Sequence, residues 1–192
     1  QTVAGRDEQY HTGFSRIPIL LTPDRSHITS KPLDSFLFIY SYVYMSSTHT
    51  ALHFHVVFST KNREPWFPKL FRPRLHSYLA GTLSQLGAHP RMVGGVADHV
   101  HLLYDLSTTQ CVADTVQELK KASSAWIREE LRRSAFHWQE GYGAFTVSAG
   151  NLDAVTRYIQ HQERHHRKIT YKEEYISLLN KAGIEYREEY LW

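Results

Sequence analysis

The reading of the chain turns on Asp98-His99-Val100-His101-Leu102-Leu103. Side chains alternate along a strand, so His99 and His101 point to one face while Val100 and Leu102 point to the other. Residues two apart on a strand lie about 6–7 Å from one another. Imidazoles so spaced can converge on one metal ion about 2 Å from each ring nitrogen. The same residues also make an ordinary half-buried strand with two satisfied histidines. The rest of the chain has to decide between these.

Working outward, Ala51 to Thr60 sets Leu52, Phe54, Val56 and Phe58 against His53, His55 and Val57, a period-2 strand. A basic loop, Ser59-Thr60-Lys61-Asn62-Arg63, follows it. From Phe67 to Leu86 the apolar positions Leu70, Phe71, Leu75, Leu79, Leu83 and Leu86 recur at helical steps. Pro68 suits the first turn of that helix, Pro73 lies near its start, and Gly87 suits its stop. Arg91 to Ala97 predicts a strand with a bulge at Gly94-Gly95. A tight turn near Asp98 then leads into the His99 strand, which runs to Leu106.

Ser107-Thr108-Thr109 offers an N-cap for a long helix through Arg133, striped by Val112, Val116, Leu119, Ala122, Trp126, Ile127 and Leu131. Gly143 to Ala149 predicts a fourth strand. Asn151 suits the cap of a helix through His166, with Asp153 in its first turn. A terminal helix, Lys172 to Ala182, and an aromatic, acidic tail complete residues 172–192. The order βαββαβ followed by extra helices predicts an α+β, ferredoxin-like (RRM-like) antiparallel sheet. Both crossover helices fall on one face, leaving the other for a site. Many functions share such a fold, so side chains must argue function.

The 192 residues suit one domain, or one with an appendage, and 42% apolar with 21% charged residues suits a globular core. Net charge is +3, a mild basic excess that tolerates a nucleic-acid partner without demanding one. Thirteen histidines and twelve tyrosines suit metal binding, base stacking or nucleophilic work, or simply an aromatic core. Cys111 is the only cysteine, which rules out an intrachain disulfide and suits a reducing compartment. No apolar run reaches the roughly 18–20 residues of a membrane span. The longest, Phe36 to Met45, is broken by Ser41. No membrane partner and a cytoplasmic location are therefore expected.

Residues 1–44 lack helical period and carry scattered Pro18, Pro23 and Pro32. They are expected to be an appended or disordered extension, with the working polypeptide starting at Met45 and residues 45–192 forming one domain. A strand through Phe36-Leu37-Phe38-Ile39-Tyr40 is the competing reading. Four basic and four acidic residues leave the extension neutral.

Tyr158 and Gln162 are four apart and share a helix face, with Leu152, Val155 and Ile159 on the adjoining one. A phenol beside an amide oxygen, held near two histidines, is a set suited to metal-assisted attack on a phosphodiester. With twelve tyrosines such a pair also arises by chance. His53-Phe54-His55 is a second His-hydrophobic-His triplet.

Four blocks, in this order and spacing, resemble the single-tyrosine transposases of the HUH superfamily, which move small insertion sequences as single-stranded DNA. They are Leu52 to Lys61, Asp98 to Leu103, Gly141 to Ser148, and Tyr158-Ile159-Gln160-His161-Gln162. The resemblance spans Met45 to Trp192. It implies that His99 and His101 are the metal pair, Gln162 the third ligand, and Tyr158 the nucleophile that forms a 5′-phosphotyrosine link. It also implies magnesium or manganese, hairpin-ended single-stranded DNA, and a homodimer in which, for several members, the tyrosine helix completes the partner's site. Family order places the metal pair on the later strand, making His55 a neighbour of the site.

Lys61, Arg63, Arg157, Arg164, Arg167 and Lys168 are the candidate DNA-backbone contacts, or else a solvated helix face. His165 and His166 are expected at the surface. Trp138, Tyr142 and Phe145 suit base stacking or the core. Two other functions stay open: a catalytically silent or domesticated hairpin-binding relative, and a metal-dependent hydrolase. The hydrolase would need an acidic base, for which only Asp98 and Asp105 are near in sequence.

Overall fold

The structure is a computed structural model and describes residues 49–191, the side chain of Tyr190 excepted. The expected extension 1–44 lies outside the described residues. Four strands, β1 (His53–Ser59), β2 (His89–Gly95), β3 (His99–Asp105) and β4 (Gly143–Thr146), form one sheet in the order β2-β3-β1-β4. Every neighbouring pair is antiparallel. Helix α1 (Arg72–Gln85) links β1 to β2 and α2 (Val112–Leu131) links β3 to β4. This is the expected ferredoxin-like α+β order.

Register determines the faces. Ser59, Val57 and His55 lie opposite His99, His101 and Leu103, so the histidines of both central strands share one face. The other face carries Val56, Phe58, Val100, Leu102 and Tyr104 into the main core, where they meet Leu75, Leu79 and Leu83 of α1 and Val116, Leu119 and Ile127 of α2. Each such buried side chain contributes about 1.5–3 kcal/mol. Trp138 belongs to this core, its indole N–H donating to Ser123 Oγ at 3.0 Å. That burial removes it as a base-stacking residue.

The histidine face, expected to stand open, is covered by three C-terminal helices: α3 (Leu152–Gln160), α4 (Gln162–His165) and α5 (Tyr171–Lys181). Leu103, Val147 and Ile159 form one small core there, with Met92, Leu152, Val155 and Tyr158 packed around it. Val57, Tyr171, Tyr175 and Leu179 form another, with Phe145 against it.

Several boundaries differ from the sequence expectation. α1 begins at Arg72 rather than Phe67, with Pro73 in its first turn, because Phe67 is held in the core by its own N–H bond to Ala97 O. Its end is as expected: Gly87 takes φ +83°, and the N–H groups of Gly87 and Ala88 bond back to Ser84 O and Leu83 O. α2 starts from Cys111 instead of Ser107–Thr109. Gln110 closes that stretch into a turn, accepting the Ser107 N–H and donating to Leu86 O. The irregularity in β2 falls between Pro90 and Met92, not at Gly94-Gly95. Among the described residues, no helix is long and apolar enough to cross a membrane.

Candidate metal and tyrosine site

Helix α3 reaches the sheet through Gly94, which pairs with His101. A Cβ there would sit 2.6 Å from Ile159 O and 2.7 Å from Ile159 Cγ2. Only a residue without a side chain permits this approach. Asn151 stands at the N-cap, though its side chain makes no capping bond, and Asp153 lies in the first turn. The helix expected over 151–166 breaks at His161 (φ −103°, ψ 21°). There both the ring and the backbone N–H of His161 use Arg157 O. The chain then resumes as α4, with Gln162 buried.

A capping box starts α5: Thr170 Oγ1 accepts the Glu173 N–H, and the Glu173 carboxylate accepts the Thr170 N–H. Its Thr-x-x-Glu signature is legible in sequence and places the helix start at Tyr171, one residue before the expected Lys172. Tyr171, Glu174, Tyr175 and Leu179 form the buried stripe. Glu174 is thereby carried inward, beneath the nucleophile candidate.

His99, His101, His166 and Glu174 each present one ligand atom, and these four atoms lie within 4.8 Å of one another. The Nε2 atoms of His166, His101 and His99 stand 3.2, 3.4 and 3.7 Å from Glu174 Oε2. None of the four atoms has a hydrogen-bond partner, and neither does Gln162 Oε1. Partners on the far side of the rings assign the protons. His99 Nδ1 lies 2.8 Å from Asp98 Oδ1 and His166 Nδ1 lies 2.9 Å from Ile169 O, acceptors that require an N–H. His101 Nδ1 lies 3.0 Å from His55 Nε2, so His55 performs the same service by accepting. With those partners on the far side, all three rings turn Nε2, together with a carboxylate oxygen, toward one point. Such a set needs a cation, and carboxylate- or carbonyl-backed histidines are the usual second layer of a metal site.

Electrostatics agree. Burial pushes His101 down to about 4 and His55, helped by the neighbouring His101, down to about 3; both are neutral. Burial alone would raise the Glu174 carboxyl, but His101, His166 and the Tyr158 hydroxyl outweigh it and hold it well below the usual carboxylate range. Burial would likewise lower His166, yet the Glu174 charge turns the shift upward. The residues fit a divalent ion.

Tyr158 joins the same cluster. Its hydroxyl donates to Glu174 Oε1, which also accepts Gln162 Nε2 at 3.0 Å. The ring packs edge-on against His55, His101 and His165. Burial, then the Glu174 charge, raises the phenol well above its ordinary range. The structure thus brings together His99, His101, Tyr158 and Gln162, all anticipated from sequence. It adds Glu174 and His166, which were not. The expectation of a surface His166 fails because the α4 turn directs its ring inward; its side chain is 12% exposed. His165 follows it part of the way, with Nε2 at 3.2 Å from Glu174 Oε1.

The basic residues divide. Arg63, Arg167 and Lys168 line a cleft of about 420 Å³ with Asp98, His99 and His166. Lys168 also lines a larger cleft, about 570 Å³, with His55, Tyr158 and Glu174. Arg164 and Arg167 border a third with Lys69 and Arg72. Arg157 is exposed on α3. Lys61 lines a different recess, beside Tyr142 and Tyr175.

A ferredoxin-like sheet bearing two strand histidines and a helix tyrosine at one buried point defines the architecture of an HUH-type nuclease. The family described as "Transposase IS200 like" matches residues 48–162, more than half of the chain, and the chain belongs to it. His166 and Glu174 lie beyond the matched stretch. Among solved structures, a candidate transposase from Deinococcus radiodurans R1 is similar at 22% identity, covering 59% of this chain and 93% of that one, with a TM-score of 0.48. A REP-associated tyrosine transposase bound to a REP hairpin is similar at 13% identity, covering 64% and 74%, with a TM-score of 0.46. Comparison with curated proteins gives no match.

Proposed function

We propose that the chain cleaves and rejoins single-stranded DNA at insertion-sequence ends, with Tyr158 as nucleophile and His99, His101 and Gln162 holding a divalent ion. One observation carries the reading: the Tyr158 hydroxyl and three unpartnered imidazole nitrogens meet at the same carboxylate. When bound, the ion supplies Lewis-acid polarisation of the scissile phosphate. The mixed nitrogen and oxygen set is compatible with magnesium or manganese, and its imidazoles would equally accept zinc.

Tyr158 Oη attacks phosphorus, its hydroxyl oriented by the hydrogen bond to Glu174 Oε1. The Oη–P bond forms and the P–O3′ bond breaks, the phenol's proton ending on the departing O3′, which leaves a 5′-phosphotyrosine and a 3′-hydroxyl. Attack by another 3′-hydroxyl reverses the step and rejoins strands without a nucleotide cofactor. His55 and Asp98 keep the two strand histidines in the tautomer that offers Nε2. Arg63, Arg167 and Lys168 neutralise backbone phosphates at the rim, and Lys61, Arg157 and Arg164 extend the contact along the strand. Family membership supports hairpin-ended DNA as substrate, a homodimer as the working unit, and action in the cytoplasm, with residues 45–192 as the working domain.

The test is to incubate the purified chain with a labelled single-stranded hairpin and Mn2+ and look for a denaturant-resistant protein–DNA adduct. Tyr158→Phe is expected to abolish it. An adduct formed by that variant refutes the nucleophile, and equal cutting of duplex DNA refutes the single-strand assignment.

A further inference from the structure

We propose that Glu174 is a positioning residue that joins the ion to the nucleophile, one carboxylate oxygen serving each. This rests on the reading of Tyr158 as nucleophile. Glu174 is buried, and its two oxygens do different things. Oε1 accepts the Tyr158 hydroxyl and the Gln162 amide. Oε2 accepts no hydrogen bond, yet stands among the Nε2 atoms of His99, His101 and His166. A carboxylate committed only to holding Tyr158 has no reason to bury its second oxygen against three ring nitrogens whose protons lie on their far sides. One committed only to the ion has no reason to turn the other oxygen to a phenol and an amide. The arrangement makes sense if Oε2 and the imidazoles share an ion while Oε1 sets the phenol beside it.

The nucleophile's distance from the ion is then set by one rigid carboxylate. Tyr158 lies on α3 and Glu174 on α5, so two helices that scarcely share sequence context are clasped at the reacting atoms. A divalent ion bound at the histidines is expected to change the surroundings of the Tyr158 phenol even without DNA. Gln162, through its Nε2, holds Oε1 in place for this purpose, while its own Oε1 is buried without a hydrogen-bond partner.

The experiment uses the full chain and Mn2+ alone, then Mn2+ with a single-stranded hairpin. Mn2+ affinity is read from the loss of the free-ion electron paramagnetic resonance signal. The phenol is read from the tyrosine ultraviolet difference spectrum on Mn2+ addition, its Tyr158 component being the part that Tyr158→Phe lacks. Glu174→Gln, isosteric and checked by near-ultraviolet circular dichroism, is expected to weaken Mn2+ binding by about tenfold or more. At saturating Mn2+ it is expected to lack the Tyr158 component and to form adduct at least about tenfold more slowly. Glu174→Asp keeps the charge but shortens the reach. It is expected to retain more Mn2+ affinity than Glu174→Gln while still losing the Tyr158 component, and it decides the matter if the glutamine variant does not fold.

Mn2+ affinity within twofold of wild type in Glu174→Gln overturns the ion half. Full recovery of adduct rate and Tyr158 signal by saturating Mn2+ overturns the positioning half. If wild-type protein forms no adduct, the DNA-cleaving function falls, while the Mn2+ titration and difference spectrum still judge Glu174.

Discussion

Gly94→Ala puts a methyl group where Ile159 O already stands 2.6 Å from the position of a Cβ. Ordinary contact begins at 3.4 Å, so the partners must part by about 0.8 Å. The obstructing atom is helix backbone, which has no rotamer to escape into. β2 is an edge strand, but it is paired to β3 along its length; α3 is the element expected to give. Ile159 adjoins Tyr158, so the phenol is carried away from the histidines by nearly the whole displacement. A misplacement of about 1 Å at a reacting group costs about 100-fold in rate, and overpacking of this kind costs about 1–3 kcal/mol in stability. Single-turnover adduct formation at saturating Mn2+ is therefore expected to fall about 10- to 100-fold, with Mn2+ affinity within about threefold of wild type. A rate within threefold of wild type would show that β2 yields instead and would refute the docking argument. A parallel loss of Mn2+ affinity would show that the displacement reaches Gln162, just beyond α3, as well.

Three further outcomes are expected. His55→Ala leaves the buried His101 Nδ1 proton unpartnered, and Mn2+ affinity is expected to fall about 10- to 100-fold with about 1–3 kcal/mol of stability lost without metal; an unchanged affinity would remove His55 from the site. Thr170→Ala breaks the capping box at a cost of about 1 kcal/mol, and hydrogen exchange is expected to quicken over Tyr171–Lys181 more than over α1. His76 is pushed down to about 4 by burial and then by Arg72. A histidine with a lowered folded pKa binds its proton more readily when unfolded, so stability is full above about 6.5 and declines as pH falls toward 4. His76→Asn should flatten that decline by on the order of 1–2 kcal/mol at pH 5, measured by denaturant titration at pH 7.5 and pH 5; parallel curves would place the acid sensitivity elsewhere.

Local pattern carried a good deal of this far. The alternation of Leu52 to Phe58 and of His99 to Leu103 predicts two strands and the side of the sheet on which each histidine lies, because a period of two is a property of the backbone itself. The apolar steps of α1 and α2 predict the crossover helices and, with the strands, the sheet order. Errors gathered where side chains compete with the backbone for hydrogen bonds. The Gln110 side chain closes Ser107–Gln110 into a turn and delays α2 to Val112, while the His161 ring marks the break between α3 and α4. Thr170 to Glu173 is legible as a capping box that sets the start of α5, but not which face of that helix turns inward.

The sequence by itself determined the class of fold, the shared face of His99 and His101, and the pairing of Tyr158 with Gln162. The last two depend on residues a few positions apart in sequence, and Tyr158 and Gln162 stay together although the helix breaks at His161. Only the tertiary structure decided that His55 keys His101, that Gly94 admits α3, and that His166 and Glu174 reach the same point as the strand histidines. Those meetings join separate elements whose register and docking distance are set by packing across the sheet. No local period encodes that distance. Glu174 therefore reads in sequence as one acid in a charged helix, and in the fold as the group at which the ion ligands and the tyrosine meet.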